Sequence, residues 1–140
     1  MFVRLNEEQA TTLLTTESVG RLGCITDSGP YIVPINYYFE NNCIYSHSLA
    51  GMKISALRLD PRACLQVDQV EGDLGWRSVL AFGNYEEIKS QSERSEILNK
   101  LLRHFPMLTP VESALAEDAG GSHVIVYRIR IDRITGTAED

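Results

Sequence analysis

Six segments rich in β-branched and aromatic residues, several of them separated by turn-forming residues, constrain the fold of this 140-residue chain most strongly. Asp27-Ser28-Gly29-Pro30 and Asn41-Asn42 are typical tight turns, and strands joined by such turns pair antiparallel. A sheet of long, bent strands tends to curl and close, which removes its exposed edges. The pattern therefore predicts a mainly β fold, a six-stranded antiparallel barrel with flanking helices. The predicted strands are 21–26, 31–40, 43–47, 62–70, 76–88 and 123–132.

Two or three helices are expected around this barrel. Asn6 and Gln9 have the spacing of a capping box at the start of the first helix, and Ser90 and Glu93 repeat that spacing at the third. The second helix covers residues 53–59, because proline follows soon after and stops it.

The remaining features concern bends and ends. Gly83 predicts a bulge or bend within a long strand. A short helical piece is expected after Pro110, and residues 133–140 are expected to form a polar, mobile tail. No linker or repeat interrupts the sequence, so we expect a single domain over residues 1–140.

Charge and cysteine content exclude several classes of protein. Thirteen Lys and Arg against nineteen Asp and Glu give a formal net charge of −6. This acidic balance argues against nucleic acid and anionic lipid as partners. Cys24, Cys43 and Cys64 form no paired motif, which favours reduced thiols in a cytoplasmic protein. We expect no signal peptide and no membrane span, because no apolar run is long enough.

Residues 44–53 form the first candidate site. A predicted strand ends in Ser46, His47 and Ser48, a small-residue loop follows, and a helix starts at Lys53. A lysine at the positive end of a helix is unfavourable unless an anion joins it, and a phosphate would make the arrangement favourable. The alternative is a solvated lysine next to serines of an ordinary turn.

Two further segments are candidates for contact with a planar ligand. Trp76, Arg77 and Ser78 open a strand and offer an aromatic wall, a charge and a hydroxyl. Taken alone, Trp76 is more typical of simple packing at a rim or an interface. Pro34 interrupts another strand and donates no hydrogen bond, so neighbouring backbone groups can bind a ligand. The alternative there is an ordinary edge strand with a bulge.

Chemistry based on side chains alone has little support. His47 is the only histidine in a polar cluster, and such a histidine is more often a hairpin residue with satisfied hydrogen bonds. The sequence contains no H-E-x-x-H, no Walker phosphate loop and no G-x-G-x-x-G. We expect no metal site.

The order of these segments resembles the flavin-binding split-barrel family related to pyridoxamine 5′-phosphate oxidase, and especially its short branch with the nitroimidazole-resistance proteins. The likeness runs from about Gly20 to Ile88. The segments that carry it are Arg21-Leu22-Gly23, Pro30-Tyr31-Ile32-Val33-Pro34, Ile44-Tyr45-Ser46-His47-Ser48, Gly51-Met52-Lys53, Asp60-Pro61-Arg62 and Arg77-Ser78-Val79.

The resemblance implies a homodimer of split β-barrels with FMN in a groove at the subunit interface. Lys53 matches the family's phosphate lysine, and Ser78 matches a polar contact to the flavin. His47 matches a histidine close to the flavin. Tyr45 and Ser46 match a pair near the phosphate and the ribityl chain. The residues expected along the edge of the isoalloxazine ring, through backbone groups, are Val33, Pro34, Ile35, Asn36 and Tyr37.

The family likeness implies a small FMN-dependent oxidoreductase that reduces a small acceptor such as a nitro compound or a quinone. His47 is the candidate proton donor. FAD is also possible, because it presents the same ring and first phosphate. Met52 replaces a basic residue of the oxidase, and the oxidase's carboxy-terminal substrate segment is not recognisable, so pyridoxamine phosphate is not the expected substrate. The alternatives are a non-catalytic module that binds flavin or haem, and a colourless barrel.

Overall fold

The computed structural model describes residues 1–72, 75–105 and 124–139, which form eight strands and three helices. The helices are Glu7–Thr16 (α1), Met52–Leu59 (α2) and Gln91–His104 (α3). The strands are Phe2–Arg4 (β1), Val19–Thr26 (β2), Gly29–Asn36 (β3), Tyr38–Glu40 (β4), Cys43–Leu49 (β5), Arg62–Glu71 (β6), Gly75–Glu87 (β7) and Val124–Glu139 (β8).

All strand pairs are antiparallel, in the order β3-β2-β6-β7-β8-β5-β4, with β1 added to β8. The two strands at the ends of this order, β3 and β4, are consecutive in the chain and only Tyr37 separates them. The sheet therefore curls until its edges meet, without continuous pairing across the seam. The predicted fold class, a split antiparallel barrel with flanking helices, is confirmed.

The strand count is eight instead of the six predicted, because one predicted strand divides in two and because β1 was not predicted; the last strand is also longer than predicted. The predicted strand over residues 31–40 divides at Tyr37 into β3 and β4. The tail expected to be mobile instead continues β8 to Glu139, where it pairs with β7 and β1. Ile134, Gly136 and Ala138 alternate there with exposed polar residues, so one face of the tail is covered.

The helices follow the sequence pattern, but only one capping box forms. Asn6 accepts from the Gln9 amide at 2.8 Å, and the Gln9 side chain accepts from the Asn6 amide at 3.0 Å. The box predicted at Ser90 and Glu93 is wrong, because the Ser90 hydroxyl makes no cap bond. That hydroxyl lies 3.3 Å from the hydroxyl of Ser92 instead. The helical piece predicted after Pro110 and the strand start at His123 lie outside the described residues.

Two apolar clusters flank the sheet. The larger one fills the barrel and contains the buried faces of α1 and α2, while the smaller one lies between α3 and the side chains of Tyr38, Tyr45 and Val126. The predicted irregularity at Gly83 is confirmed as a bulge between Phe82 and Gly83. A Cβ at Gly83 would overlap the carbonyl oxygen of Arg130, so only glycine fits. Among the described residues, no helix has both the length and the hydropathy needed to cross a bilayer.

Candidate functional site

Lys53 lies at the start of α2, directly after the loop that follows β5. The preceding Gly51 caps the helix without any side-chain hydrogen bond, so amides of the first turn lack an internal acceptor. Ile54, Ala56 and Leu57 bury the other side of α2 in the barrel. The sequence thus places a lysine and an uncapped helix terminus at the same point.

The ammonium group of Lys53 is half-buried and points over an aromatic ring. Its Nζ lies 6.0 Å from the centroid of the Tyr127 ring, within range of a cation–π contact. No carboxylate within 4.0 Å pairs with it in the part of the chain that the structure describes. Burial lowers the pKa of Lys53, and the nearby Cys24 thiol offsets only part of this effect. The site is therefore a partly desolvated cation that has no counterion among the described residues.

Tyr127 and Ser46 face each other across the β5–β8 pair, and both are fully buried. The Ser46 hydroxyl donates to the carbonyl of Asn36 at 2.6 Å, which ties β5 to the end of β3. The Tyr127 hydroxyl interacts with this serine, whose oxygen keeps lone pairs that can accept a hydrogen bond. Burial raises the pKa of Tyr127 to about 12, and the hydrogen-bond interaction with Ser46 offsets part of this rise. Tyr127 was missed in the sequence because a tyrosine on the apolar face of a strand is indistinguishable from core.

The β3 segment forms an edge of the sheet, as the alternative interpretation of Pro34 allowed, and no bulge is present in its pairing with β2. Pro34 and Asn36 are exposed, Val33 is half-buried and Ile35 is buried. One side of this backbone has no strand next to it and is open to a ligand. Tyr37 is different, because its amide donates to the Ser18 carbonyl and its hydroxyl donates to the Leu14 carbonyl at 2.7 Å. Its polar hydrogens are already used within the protein.

The remaining β5 residues divide between the two faces of the sheet. Tyr45 stacks on Tyr38 with ring centroids 5.0 Å apart and packs in the cluster under α3, on the face opposite Ser46. Burial raises the pKa of the Tyr45 phenol. His47 and Ser48 are half-buried, and the Ser48 hydroxyl donates to the Leu49 carbonyl at 2.8 Å. Only Ser46 of this group therefore faces Tyr127.

The Trp76–Ser78 segment lies at the opposite end of β7 from this cluster. Ser78 is nine positions before Glu87, the β7 residue that pairs with Tyr127. Nine residues of extended strand span about 30 Å. Trp76 packs against Phe2 with ring centroids 5.8 Å apart, the Ser78 hydroxyl accepts from Gln66 at 3.1 Å, and Arg77 is exposed. The segment is therefore separated from the Tyr127 end of the sheet by most of the length of β7.

Two cavities of about 290 Å³ lie next to the Lys53 region. One lies between α2 and the β2–β3 turn, with Met52, Ser55 and Asp27 in its wall. The other is a mostly apolar groove on the outer sheet face, lined by Cys24, Tyr31, Ile32, Arg62, Cys64 and Phe82. Arg133 covers the Phe82 ring at 4.1 Å. Neither cavity was predicted, since each is formed by residues far apart in sequence.

Comparison with known proteins agrees with this fold. The pyridoxamine 5′-phosphate oxidase family matches residues 6–138. An uncharacterized protein from Rhizobium meliloti is 32% identical over 148 residues, covering 99% of this chain and 96% of that protein. The chain therefore belongs to the pyridoxamine 5′-phosphate oxidase family, and the resemblance found in the sequence is confirmed.

Three solved structures share the fold. A FAD-binding protein from Mesorhizobium loti is 28% identical with a TM-score of 0.82, covering 100% of this chain and 99% of that one. A candidate 5-nitroimidazole antibiotic resistance protein from Bacteroides thetaiotaomicron is 22% identical with a TM-score of 0.82. The match covers 99% of this chain and 88% of that one. A FAD-binding protein from Mycobacterium smegmatis is 20% identical with a TM-score of 0.69. The match covers 97% of this chain and 98% of that one.

Proposed function

We propose that this chain binds a flavin nucleotide, with the phosphate next to the ribityl chain held by Lys53, and that it acts as a small flavin-dependent oxidoreductase. The observation that carries this proposal is the half-buried ammonium of Lys53, which has no carboxylate partner among the described residues. A desolvated cation is costly unless an anion accompanies it. Membership of the family and the FAD-binding relative from Mesorhizobium loti support a flavin as the source of that anion.

The surrounding groups suit a flavin nucleotide. A Cβ added to Gly51 would meet no atom within 4 Å, so the start of α2 is open to a phosphate. Amides at a helix start favour anions. The open edge of β3, from Val33 to Asn36, supplies backbone groups for a flat ring. When bound, the flavin supplies hydride acceptance from a donor and reduction of an acceptor, while the protein orients and tunes it.

FMN and FAD are both compatible with this site. Each carries the same ring system and the same first phosphate, so Lys53 serves either one. FMN is the simpler proposal, because it needs no pocket for an adenine ring. The relative from Mesorhizobium loti is a FAD-binding protein, which keeps FAD as the direct alternative.

We further propose that two copies of the chain complete the site. Trp76, Arg77 and Ser78 lie at the opposite end of β7 from the residue that pairs with Tyr127, and in this proposal they reach the flavin from a second copy. Exposed apolar side chains on the outer sheet face, Ile25 at 42% and Ile32 at 70%, support a covered interface there.

The acceptor in this proposal is a small molecule such as a nitro compound or a quinone. His47 is the candidate proton donor to a reduced acceptor. It is half-buried, and as the strand neighbour of Ser46 its side chain lies on the other face of β5, with that of Tyr45. The competing function is non-catalytic binding of flavin or haem. Anaerobic addition of NADPH or NADH separates the two functions, because an oxidoreductase loses its yellow colour with a suitable donor and a storage protein does not.

Binding of FMN and riboflavin by the wild-type protein and by Lys53→Met tests the proposal. The methionine keeps an unbranched apolar stem and removes the charge. A contact to a charged group is worth about 1.5–3 kcal/mol, so FMN affinity should fall about 10- to 100-fold while riboflavin affinity hardly changes. Lys89→Met, at an exposed lysine outside the site, is the matched control. Equal affinity of Lys53→Met and wild type for FMN would remove the phosphate assignment.

A further inference from the structure

The cavity between α2 and the β2–β3 turn contains none of the residues predicted to contact a flavin, yet it lies directly beside Lys53. Met52, the residue before Lys53 on α2, is part of its wall. On the β2 side the wall includes Ile25, which follows Cys24, and the Cys24 thiol interacts electrostatically with Lys53. A ligand held by Lys53 therefore has this cavity within reach.

The size of the cavity suits part of a ligand. Its volume is about 290 Å³. Sites that enclose a whole small molecule have volumes of about 300–1,000 Å³, so this cavity is at the lower end of that range. It is a candidate for one end of a larger ligand whose other end is bound elsewhere.

One part of the wall is apolar and suits a flat ring. Met52 and Leu59 lie one turn or more apart on α2, and both side chains are largely exposed to water. Exposed apolar side chains on a concave surface gain free energy when an apolar group covers them. A methionine also adapts its shape and makes favourable contacts with aromatic rings. These side chains therefore favour an aromatic occupant.

The polar part of the wall carries negative charge. No lysine or arginine is among the described residues that line the cavity, whereas Asp27 and Asp60 are. Arg62 binds the Asp60 carboxylate at 2.7 Å, but no basic group lies within 4.0 Å of the Asp27 carboxylate in the described structure. A carboxylate repels a phosphate and accepts hydrogen bonds from hydroxyl and amino groups. The cavity therefore suits an uncharged group that carries hydrogen-bond donors.

We propose that this cavity binds the adenosine half of FAD while Lys53 binds the phosphate next to the ribityl chain, and this inference rests on the proposed function. Adenosine is uncharged, has a flat aromatic ring and offers donors from its amino group and its ribose hydroxyls. The ring lies against Met52 and Leu59, and Asp27 accepts from one of the donors. A Cβ added to Gly51 would meet no atom within 4 Å, so there is open space beside Lys53 for the phosphates.

Titration of FAD and FMN into the wild type and Ser55→Phe tests the inference. Ser55 is an exposed residue in the cavity wall, and a phenylalanine there occupies the space proposed for adenine. Because adenine leaves water only when the cavity is open, we expect the wild type to bind FAD about 10-fold more tightly than FMN. Ser55→Phe should remove this preference and leave FMN affinity unchanged. Equal affinities of the wild type for FAD and FMN would overturn the inference, as would a preference that persists in Ser55→Phe.

Asp27→Asn is a second variant that keeps the size of the side chain and removes its charge. A hydrogen bond to a charged acceptor is stronger than one to a neutral acceptor, so FAD affinity should fall about 5-fold while FMN affinity stays constant. Ser95→Phe makes the same serine substitution as Ser55→Phe, at an exposed position on α3, and should change neither affinity. An equal loss of FAD and FMN affinity in Asp27→Asn would contradict the role of Asp27.

Two further measurements separate this inference from its alternatives. If Ser55→Phe lowers the sedimentation mass relative to the wild type, a second copy covers the cavity and the inference is wrong. Lys53→Met should weaken FAD and FMN alike relative to riboflavin. If it weakens neither, the proposed phosphate site is wrong. If it weakens both while Ser55→Phe keeps the preference for FAD, only the adenosine site is wrong.

Discussion

The hydroxyl of Ser46 in the middle of β5 donates a 2.6 Å hydrogen bond to the carbonyl of Asn36, the last residue of β3. These two strands are not neighbours in the order of the sheet. The bond therefore crosses the seam where the barrel is split, and Ser46 is also the residue opposite Tyr127. The same serine links the closure of the fold to the candidate phosphate site.

Ser46→Ala should lower both stability and flavin affinity. The change leaves the Asn36 carbonyl without its donor, which costs about 1–2 kcal/mol of unfolding free energy. The loss of FMN affinity should be smaller than that caused by Lys53→Met, because no charge is removed. Chemical denaturation and FMN titration measure the two effects. Ser48→Ala is the control, since that hydroxyl bonds only to the adjacent Leu49 carbonyl, and its stability should change by less than about 0.5 kcal/mol.

Lys53→Met should stabilise the ligand-free protein most at neutral pH. Burial lowers the pKa of Lys53 in the folded state below its ordinary 10.5, so the folded protein is penalised wherever the lysine is charged. That penalty is complete at pH values below the pKa of Lys53 in the folded state. It fades as the pH rises from that value to 10.5, the pKa of an ordinary lysine. The excess stability of the variant should therefore shrink between neutral and alkaline pH. Denaturation curves across this range measure it, and a variant less stable than the wild type at pH 7 contradicts the expectation.

Glu86→Gln should destabilise the protein at neutral pH and have little effect near pH 2. The Glu86 carboxylate accepts from Arg130 at 2.9 and 3.0 Å and from Arg128 at 2.8 Å. These bonds, that of Arg130 first, lower the pKa of Glu86 to about 2 from 4.5. The stabilisation is complete above pH 4.5 and is lost as pH falls through about 2. Because the carboxylate is partly exposed, we expect Glu86→Gln to lower the free energy of unfolding by only about 1 kcal/mol at neutral pH.

Melting curves of Glu86→Gln and of the wild type between pH 7 and pH 2 measure this difference in stability. Glu71→Gln, at an exposed position outside the arginine pair, should change stability by less than about 0.5 kcal/mol at pH 7. A constant difference between Glu86→Gln and wild type over the whole range would show that the carboxylate charge is not the cause.

Local patterns were sufficient for most of the strands and helices. The Asn41-Asn42 turn is an example, because both residues adopt positive φ angles of 52° and 61°, as a two-residue hairpin requires. The Asn6–Gln9 capping box formed for the same local reason. Residues 133–139 were misjudged because their polar side chains suggested a tail. Their place in the sheet depends on pairing with β1 and β7, which no local pattern reveals.

The candidate site was predictable only where it depends on neighbours in sequence. Lys53 was identified from its position at a helix start, and it is half-buried without a carboxylate partner in the described structure. The position of the buried Tyr127 ring beneath the Lys53 ammonium was not predictable, because it depends on the pairing of β5 with β8, which are far apart in sequence. The roles of the individual site residues toward a flavin remain predictions for the binding experiments.

Ile32→Asp should separate the proposed dimer and weaken flavin binding. Ile32 lies on β3, is 70% exposed and lines the apolar groove on the outer sheet face. If a second copy covers this face, an aspartate there would be desolvated without a partner, which strongly opposes association. Sedimentation should give twice the 15.7 kDa chain mass for the wild type and a single chain mass for the variant. Leu59→Asp, at an 84% exposed residue on α2, should remain dimeric. A wild-type monomer that binds FMN with full affinity would show that one chain is sufficient, and Trp76–Ser78 would then have no place at the flavin.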